Sequence, residues 1–267
     1  MPKKWGRFFI GLASLTFLHL TTQAQVFAIA PLETGFFSSS KPTMTLLFAN
    51  PKAKATLVFI PGGEAHRGLT PETSDVRNPF DRMLKSLADP SITAGNFNVV
   101  FFDSPSPMVD TTMFPVSRTR PDHLSRIHST VQFFYEKLQK PVWLMGHSRG
   151  GTSVTEYYKY LQNKGQASLV SGLIYSAGSD GSSLGDKTPI PVLLLLHEKD
   201  GCRTPAATQK IFDDLREQGN DKTAFSIIKT GISAAGDPCR SGYHMYLGAQ
   251  EEVTGIIDSF VAQHIQD

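Results

Sequence analysis

Short runs of consecutive apolar residues constrain the fold of this chain more than any other feature of its sequence. Examples are 57–60 (LVFI), 99–102 (VVFF) and 192–196 (VLLLL), which are apolar at every position rather than at alternate ones. Strands of this composition are typical of parallel sheets that helices cover on both faces. The predicted strands are 43–49, 55–60, 97–102, 142–145, 169–176, 192–197 and 224–229.

Amphipathic stretches alternate with these strands. Leu124, Ile127 and Val131 share one helical face, and Thr204-Pro205 is typical of a helix start. The predicted helices are 124–138, 154–161, 204–219 and 253–261. Strands that alternate with helices predict an α/β fold, with a doubly wound, mostly parallel sheet and helices on both faces.

The chain begins like an exported protein. Three basic residues precede an apolar run over 8–20, and small residues follow it. This pattern predicts a signal peptide over 1–24, because the run is shorter than the ~20 residues that span a bilayer. An uncleaved anchor is the alternative. We therefore expect a periplasmic or secreted protein whose residues 25–267 form a single domain with no stable membrane span.

The charge of the chain bears on its partners. There are 26 Lys and Arg residues against 24 Asp and Glu, and three of the basic residues belong to the signal peptide. The remaining chain is nearly neutral, so its charge gives no reason to expect binding to nucleic acid or to an anionic membrane. The histidines are scattered and no Cys/His cluster has ligand spacing, so no metal site is expected. The oligomeric state stays open.

The stretch PVWLMGHSRGG carries an apolar strand directly into Gly146-His147-Ser148-Arg149-Gly150 and then into a helix. A serine at such a turn is held in a strained conformation at the carboxyl edge of the sheet, and the flanking glycines let strand and helix approach closely. The pentapeptide alone arises by chance in many chains. Its context favours a nucleophile at Ser148 over an ordinary turn serine.

A serine nucleophile needs a histidine base, and the histidine needs a carboxylate that orients it. Asp200 ends the stretch PVLLLLHEKD, and His244 lies in the loop GDPCRSGYHMYLG before the last predicted helix. Asp180 and Asp186, in a loop rich in Gly and Ser, are alternative acids. Asp200 is favoured because it abuts a strand end, which is more rigid than a loop.

Three other histidines are near the same motifs in sequence. His147 neighbours the serine and is expected to face away from it. His197 is expected to support the acid loop by hydrogen bonding, and His66 is expected to be an exposed loop residue.

The two cysteines flank the predicted acid and base. Cys202 lies two residues after Asp200, and Cys239 lies five residues before His244. In an oxidising compartment we expect these cysteines to form a disulfide, with two free thiols as the alternative. Such a bridge would support the triad, because it ties the acid loop to the base loop.

Stabilisation of the attacked carbonyl oxygen needs N–H donors beside the serine. The stretch Pro61-Gly62-Gly63-Glu64 follows a strand that we expect to neighbour the nucleophile strand. The candidate oxyanion hole is therefore the N–H of Gly63 with the N–H of Arg149, and Glu64 is the alternative donor.

Together these motifs resemble those of the α/β-hydrolase superfamily, over essentially the whole of 25–267. The matching stretches are PGG after an early strand, GHSRGG at the elbow, HEKDGC at the acid and PCRSGYH at the base. Small secreted bacterial serine hydrolases with a cysteine near acid and base look most similar. The resemblance implies hydrolysis of an ester, thioester or amide without cofactor or metal. Only 177–191 separate two strands between which the superfamily often inserts a cap, so no large cap is expected.

Without a cap, the loops 64–79 and 103–122 are expected to form the pocket. Candidates for an apolar acyl slot, or for packing of the second loop onto the body, are Met108, Val109, Met113 and Phe114. Arginines expected near the same edge are Arg67, Arg77, Arg118, Arg120 and Arg203. A solvated rim is favoured for them over a site for an anionic substrate.

The sequence thus predicts an exported serine hydrolase, in the first place a carboxylesterase that cleaves small or medium acyl esters through an acyl-enzyme on Ser148. A soluble small-molecule acyl compound is the expected partner. The alternatives are a peptidase or an acyltransferase with the same triad, or a non-catalytic binding protein on the hydrolase fold.

Overall fold

The computed structural model describes residues 24–32, 40–92, 96–113, 116–178, 182–185, 187–240 and 242–265. The signal peptide predicted over 1–24 lies outside these residues except for its last position. The strands are β1 (Ala24–Ile29), β2 (Thr43–Phe48), β3 (Ala55–Ile60), β4 (Phe97–Asp103), β5 (Val142–His147), β6 (Gly172–Ser176), β7 (Val192–His197) and β8 (Thr223–Ile228). The helices are α1 (Pro79–Ser86), α2 (Pro121–Leu138), α3 (Arg149–Asn163), α4 (Pro205–Glu217) and α5 (Gln250–His264).

All eight described strands belong to one sheet, in the order β1-β2-β4-β3-β5-β6-β7-β8. β2 is antiparallel to β1 and to β4, whereas β4, β3, β5, β6, β7 and β8 are mutually parallel. The predicted doubly wound, mostly parallel sheet is therefore confirmed. β3 lies beside β5, as expected from the sequence.

Helices cover both faces of the sheet. On one face α1 and α5 pack through Phe80, Leu84 and Ile257 onto alternate strand residues. On the other face α2, α3 and α4 form a second core. Every residue of β3, β4 and β5 is buried, which explains why these strands are apolar at consecutive positions. Each large apolar side chain removed from water in this way contributes about 1.5–3 kcal/mol.

The structure adds elements that the sequence patterns did not predict. β1 pairs with β2 across the predicted cleavage site, so cleavage after Ala24 would leave five residues of this strand. Helix α1 is only eight residues long, too short for a clear periodic pattern. The strand predicted over 169–176 begins at Gly172, because a short 3-10 turn occupies Ala167–Leu169. A Cβ at Gly172 would overlap the Trp143 ring, which packs against its backbone.

The described part of 177–191 contains no helix or strand, so there is no large cap there. The carboxyl ends of the parallel strands are therefore left to the loops. No helix within the described ranges is long and apolar enough to cross a membrane.

Candidate active site

Ser148 lies at a strained turn between β5 and α3. Its φ of 54° and ψ of −126° are unusual for a residue with a side chain. A Cβ at Gly146 would overlap the carbonyl of Gly150, and a Cβ at Gly150 would overlap the carbonyl of Ile60. Both glycines are thus required because backbones approach one another here. The N–H of Ser148 donates to the carbonyl of Ser176 at 2.9 Å, which anchors the turn to β6.

Asp200 and His244 form a buried pair at the same edge of the sheet. Nδ1 of His244 donates to Oδ2 of Asp200 at 2.8 Å, and both side chains are fully buried. The other oxygen of Asp200 accepts the N–H groups of Cys202 at 2.7 Å and Arg203 at 3.1 Å. Asp200 lies three residues beyond β7, in a turn closed by its N–H donating to the carbonyl of His197. The carboxylate is thus fixed by backbone groups.

The second nitrogen of His244, Nε2, is buried and makes no hydrogen bond to any described residue. Its Nδ1 donates to Asp200, so in the neutral ring Nε2 carries the lone pair. The His147 ring, one residue before Ser148, lies 4.8 Å from the His244 ring between centroids. The structure therefore brings the turn of Ser148 beside the Asp200–His244 pair, without a hydrogen bond between Ser148 and His244. Asp180 and Asp186, the alternative acids, lie outside the described residues.

The disulfide predicted between Cys202 and Cys239 is confirmed. Its Cα atoms are 4.8 Å apart, and the two cysteines are 37 positions apart in sequence. The bridge joins the turn that follows Asp200 to the loop that leads to His244. It restricts how far Asp200 and His244 can separate.

The PGG turn after β3 contacts the elbow directly. A Cβ at Gly62 would lie 2.9 Å from Cβ of Ser148, so the backbone of this residue packs against the serine. Gly63 has a φ of +56°, which favours glycine. The N–H groups of Gly62, Gly63 and Glu64 donate to no described acceptor. Free donors beside Ser148, together with the N–H of Arg149 at the start of α3, can stabilise a negative oxygen.

A buried chain of hydrogen bonds connects residues next to the Asp200–His244 pair. The sequence patterns did not predict it. The hydroxyl of Tyr246 donates to the carbonyl of Leu195 at 3.1 Å. Oγ of Ser176 lies 3.0 Å from the Tyr246 oxygen and 3.1 Å from Nδ1 of His147. Because Tyr246 donates to Leu195, Ser176 donates to Tyr246 and accepts from His147. The only available signal was the position of Tyr246, two residues after His244.

His147 is buried and neutral. Desolvation lowers the pKa of His147 well below its usual range, and the nearby His244, Arg67 and Arg203 act in the same direction. Its ring packs 4.1 Å from that of Phe80 between centroids. This histidine therefore fills the space behind the elbow.

Two further histidines lie as the sequence suggested. Nδ1 of His197 accepts the N–H of Lys199 at 2.9 Å and Nε2 lies 2.9 Å from the carbonyl of Thr230, so this residue supports the acid turn. His66 is exposed for about a third of its side chain and its Nδ1 donates to the carbonyl of Ser104 at 2.7 Å.

The expected rim of arginines is wrong for Arg118. This side chain is completely buried and donates to oxygens of the PGG turn. Sequence patterns could not show this, because a short 3-10 turn over Ser117–Thr119 directs the residue inward. Arg67 pairs with Asp81 at 3.2 Å, and Arg120 pairs with Asp122 at 3.0 Å.

The loop after β4 contacts the elbow and carries exposed apolar side chains. Met108 is buried and packs on the body, whereas Val109, Met113 and Val116 are 55%, 67% and 46% exposed. Phe114 lies outside the described residues. The Arg149 guanidinium pairs with Asp110 of this loop and donates to Oγ of Ser117 at 3.0 Å. The loop is therefore attached to the residue that follows Ser148.

Among the described residues, no group of three or more His, Cys, Asp or Glu side chains could hold a metal ion. The chemistry that the described side chains can perform is proton transfer and nucleophilic attack, with backbone N–H groups as donors.

Comparisons with known proteins define the class of fold. No family model matches the chain, and no curated protein matches it in sequence. Solved structures do match. An α/β serine hydrolase without lid from Xanthomonas campestris superposes with a TM-score of 0.60 at 14% identity, covering 91% of this chain and 95% of that chain.

Two other matches cover most of both chains. Brefeldin A esterase, described as a bacterial homologue of human hormone sensitive lipase, has a TM-score of 0.62 at 14% identity, over 97% of this chain and 81% of its own. Dienelactone hydrolase from Anabaena variabilis has a TM-score of 0.56 at 15% identity, over 91% and 100%. The chain therefore has the α/β-hydrolase fold, as its sequence motifs implied.

Proposed function

We propose that this protein is an exported serine hydrolase, a carboxylesterase that cleaves small or medium acyl esters. The observation that carries the proposal is the buried Asp200–His244 pair, whose imidazole ring lies beside the strained turn of Ser148 and whose Nε2 makes no hydrogen bond to a described residue. Structural neighbours described as esterases and hydrolases support the same class. A fold by itself does not determine an activity, so the site residues carry the argument.

In the proposed mechanism Ser148 attacks the ester carbonyl while Nε2 of His244 accepts the hydroxyl proton. Asp200 holds the ring in the tautomer with Nδ1 protonated and stabilises the imidazolium that forms. The tetrahedral oxyanion accepts hydrogen bonds from the N–H of Arg149 and the N–H of Gly63, with Glu64 as the alternative donor. His244 then protonates the leaving alcohol, and water attacks the acyl-enzyme by the same route. The absent hydrogen bond between Ser148 and His244 is compatible with this, because such bonds often tighten only with substrate bound.

Export of the protein is part of the proposal. The N-terminal pattern over 1–24 supports it, and so does the disulfide, because disulfides persist in oxidising compartments. The three charges lost with the signal peptide leave an almost neutral protein.

The substrate proposal rests on the loop after β4. Val109, Met113 and Val116 give this loop an apolar surface beside the elbow, and no large cap lies over the described site. We expect p-nitrophenyl esters of medium acyl length, such as butyrate and hexanoate, to give a higher kcat/KM than acetate, because each buried CH₂ contributes about 0.8 kcal/mol. Rates for a series of acyl lengths measure this. A rate that falls with every added CH₂ would contradict it.

Replacement of the nucleophile tests the mechanism. We expect Ser148→Ala to abolish labelling by a fluorophosphonate probe and to reduce ester hydrolysis by at least about 10⁴-fold. The circular dichroism spectrum of the variant should match that of wild type, which shows that the fold is retained. Ser259→Ala, at an exposed position of α5, is the matched control and should still be labelled. Labelling of Ser148→Ala at the wild-type rate would contradict the proposed mechanism.

Two further assays separate the rival functions. Hydrolysis with water as the sole acceptor distinguishes an esterase from an acyltransferase, and an amide analogue of the best ester detects peptidase activity. A wild-type protein that no probe labels would instead be a binding protein on this fold.

A further inference from the structure

We propose that Arg118 is a positioning residue that holds the oxyanion turn in its active geometry. This inference rests on the proposed serine-hydrolase function. Nη2 of Arg118 donates to the carbonyl of Pro61 at 3.0 Å and to the carbonyl of Gly63 at 2.9 Å. The guanidinium of Arg118 therefore binds the carbonyl groups of both residues that flank Gly62.

These two contacts determine where the neighbouring N–H groups point. In a trans peptide the C=O and the following N–H point in opposite directions. With the carbonyls of Pro61 and Gly63 directed at Arg118, the N–H groups of Gly62 and Glu64 point away from it. Gly62 packs against Cβ of Ser148, so the turn that Arg118 holds is in contact with the proposed nucleophile.

The N–H of Gly63 is fixed by a third contact. The carbonyl of Gly62 accepts the N–H of Ala65 at 3.2 Å, which closes the turn and orients the peptide between Gly62 and Gly63. Without the guanidinium, the carbonyls of Pro61 and Gly63 would both lose this donor, and the contact at the Pro61 carbonyl is buried. Such a turn would rotate its peptides to satisfy them, and the donors would leave their positions.

A buried hydrogen-bond network also holds the other guanidinium nitrogen of Arg118. Nη1 of Arg118 donates to Oγ of Ser153 at 3.0 Å, and Nε2 of His123 lies 2.9 Å from the same oxygen. Ser153 therefore accepts from Arg118 and shares a second hydrogen bond with His123. Burial lowers the pKa of His123 well below its usual range, which keeps this ring neutral.

The charge of Arg118 has no carboxylate partner among the described residues, and its Nε has no hydrogen bond. The carboxylate of Asp110 acts on this charge only at a distance, because it pairs directly with Arg149. Burying a cation without a carboxylate in contact destabilises a fold, which is a high cost for a residue with only a scaffolding role. Burial, then the charges of Arg149 and Arg67, lower the pKa of Arg118 to about 9, so the group is protonated at neutral pH. An oxyanion formed at the adjacent turn would offset this positive charge at the stage where catalysis needs it.

The chain offers a matched control in Arg126. It is also a buried arginine, and it donates to the carbonyl of Lys41 at 2.7 Å and to Oγ1 of Thr43 at 3.2 Å. Arg126 lies on α2 and contacts no residue of the PGG turn in these hydrogen bonds. Arg126→Met therefore removes a buried guanidinium without touching the oxyanion turn.

The experiment compares kcat and KM for p-nitrophenyl butyrate in Arg118→Met and Arg126→Met. We expect Arg118→Met to lower kcat about 10²-fold, the size of effect of losing one oxyanion donor, with KM changed by less than about 3-fold. The rate of phosphonate inactivation should fall in parallel, because the probe's oxygen occupies the same hole. Arg126→Met should lose stability and keep kcat within about 3-fold of wild type.

Two further measurements guard against a simple folding defect. Arg118→Lys keeps the charge and can hold one carbonyl, so its kcat should lie between wild type and Arg118→Met. A non-denaturing concentration of guanidinium should raise kcat of Arg118→Met and leave Arg126→Met unchanged. If Arg118→Met does not fold, the test depends on Arg118→Lys alone. We then expect Arg118→Lys to have a kcat about 10-fold lower than wild type and an unchanged KM.

The inference is overturned if Arg118→Met, or Arg118→Lys in its place, keeps the wild-type kcat, or if the loss appears in KM alone. It is also overturned if both Met variants lose kcat equally. Failure of the serine-hydrolase proposal is distinguishable, because wild-type protein would then not be labelled by the phosphonate at all.

Discussion

At the scale of single residues, the site depends on side chains whose partners are buried. Asp200 is held by two backbone N–H groups, and His244 is held by Asp200. Tyr246 connects the loop of His244 to β7 and, through Ser176, to β6. Its φ of 51° shows that the chain turns sharply at this point. The Tyr246 hydroxyl, two residues from His244, therefore anchors the segment that carries this histidine.

Tyr246→Phe tests this role. Removing the hydroxyl leaves the carbonyl of Leu195 without this donor and Ser176 without this acceptor, so we expect a loss of about 1–3 kcal/mol in the free energy of unfolding. We also expect kcat to fall about 10-fold, because a small displacement of a catalytic group is costly. Urea denaturation and ester hydrolysis measure the two effects.

Tyr158→Phe is the matched control for that variant. Tyr158 is equally buried, but its hydroxyl has no partner in the described part of the chain. Loss of a buried unsatisfied hydroxyl should be neutral or stabilising, with activity unchanged. Equal effects of the two substitutions would contradict the role given to Tyr246.

At the scale of elements, the site exists because loops from different strands meet at one edge. β5, β7 and β8 are parallel, so their carboxyl ends lie together and the loops that follow carry Ser148, Asp200 and His244. The disulfide is the covalent link between two of these loops.

Removal of the disulfide should loosen both loops. For Cys202→Ser with Cys239→Ser we expect a loss of about 4 kcal/mol in the free energy of unfolding, from the entropy of the loop that the bridge closes. We also expect a lower kcat, because the acid and the base are free to separate. Thermal denaturation and ester kinetics check this. A reducing agent should reproduce the effect in wild type and change nothing further in the double variant.

At the scale of the whole molecule, buried ionisable groups couple stability to pH. The pKa of His147 is depressed, so its folded form resists protonation while the unfolded chain takes up a proton near the ordinary value of 6.5. A proton bound only by the unfolded state destabilises the fold as pH falls below that value. Above pH 6.5 the histidine is neutral in both states and contributes no pH dependence.

His147→Gln tests this coupling. Between pH 7.5 and pH 5.5 we expect the variant to lose about 1.4 kcal/mol less unfolding free energy than wild type does, because one proton uptake is removed. Urea denaturation at the two pH values gives both differences. Identical pH dependence in the two proteins would contradict a neutral, buried His147.

Much of the fold followed from local patterns. Seven strands and the larger helices were recognisable because runs of apolar residues and helical spacing are properties of neighbouring residues. β1 and α1 were not, because β1 is stabilised by pairing with β2 and α1 by packing against α5. The inward turn of Arg118 was also invisible, since it depends on carbonyls 55 and 57 residues away in sequence.

The sequence by itself determined the class of fold, the turn that holds Ser148 and the cysteine pair that the structure joins. These features are encoded in short stretches, where steric limits on a few residues allow one arrangement. Only the tertiary structure decided that Asp200 meets His244, that Arg118 meets the PGG turn, and which arginines are buried. Contacts between residues far apart in the chain arise from packing of the whole sheet, and no local pattern specifies them.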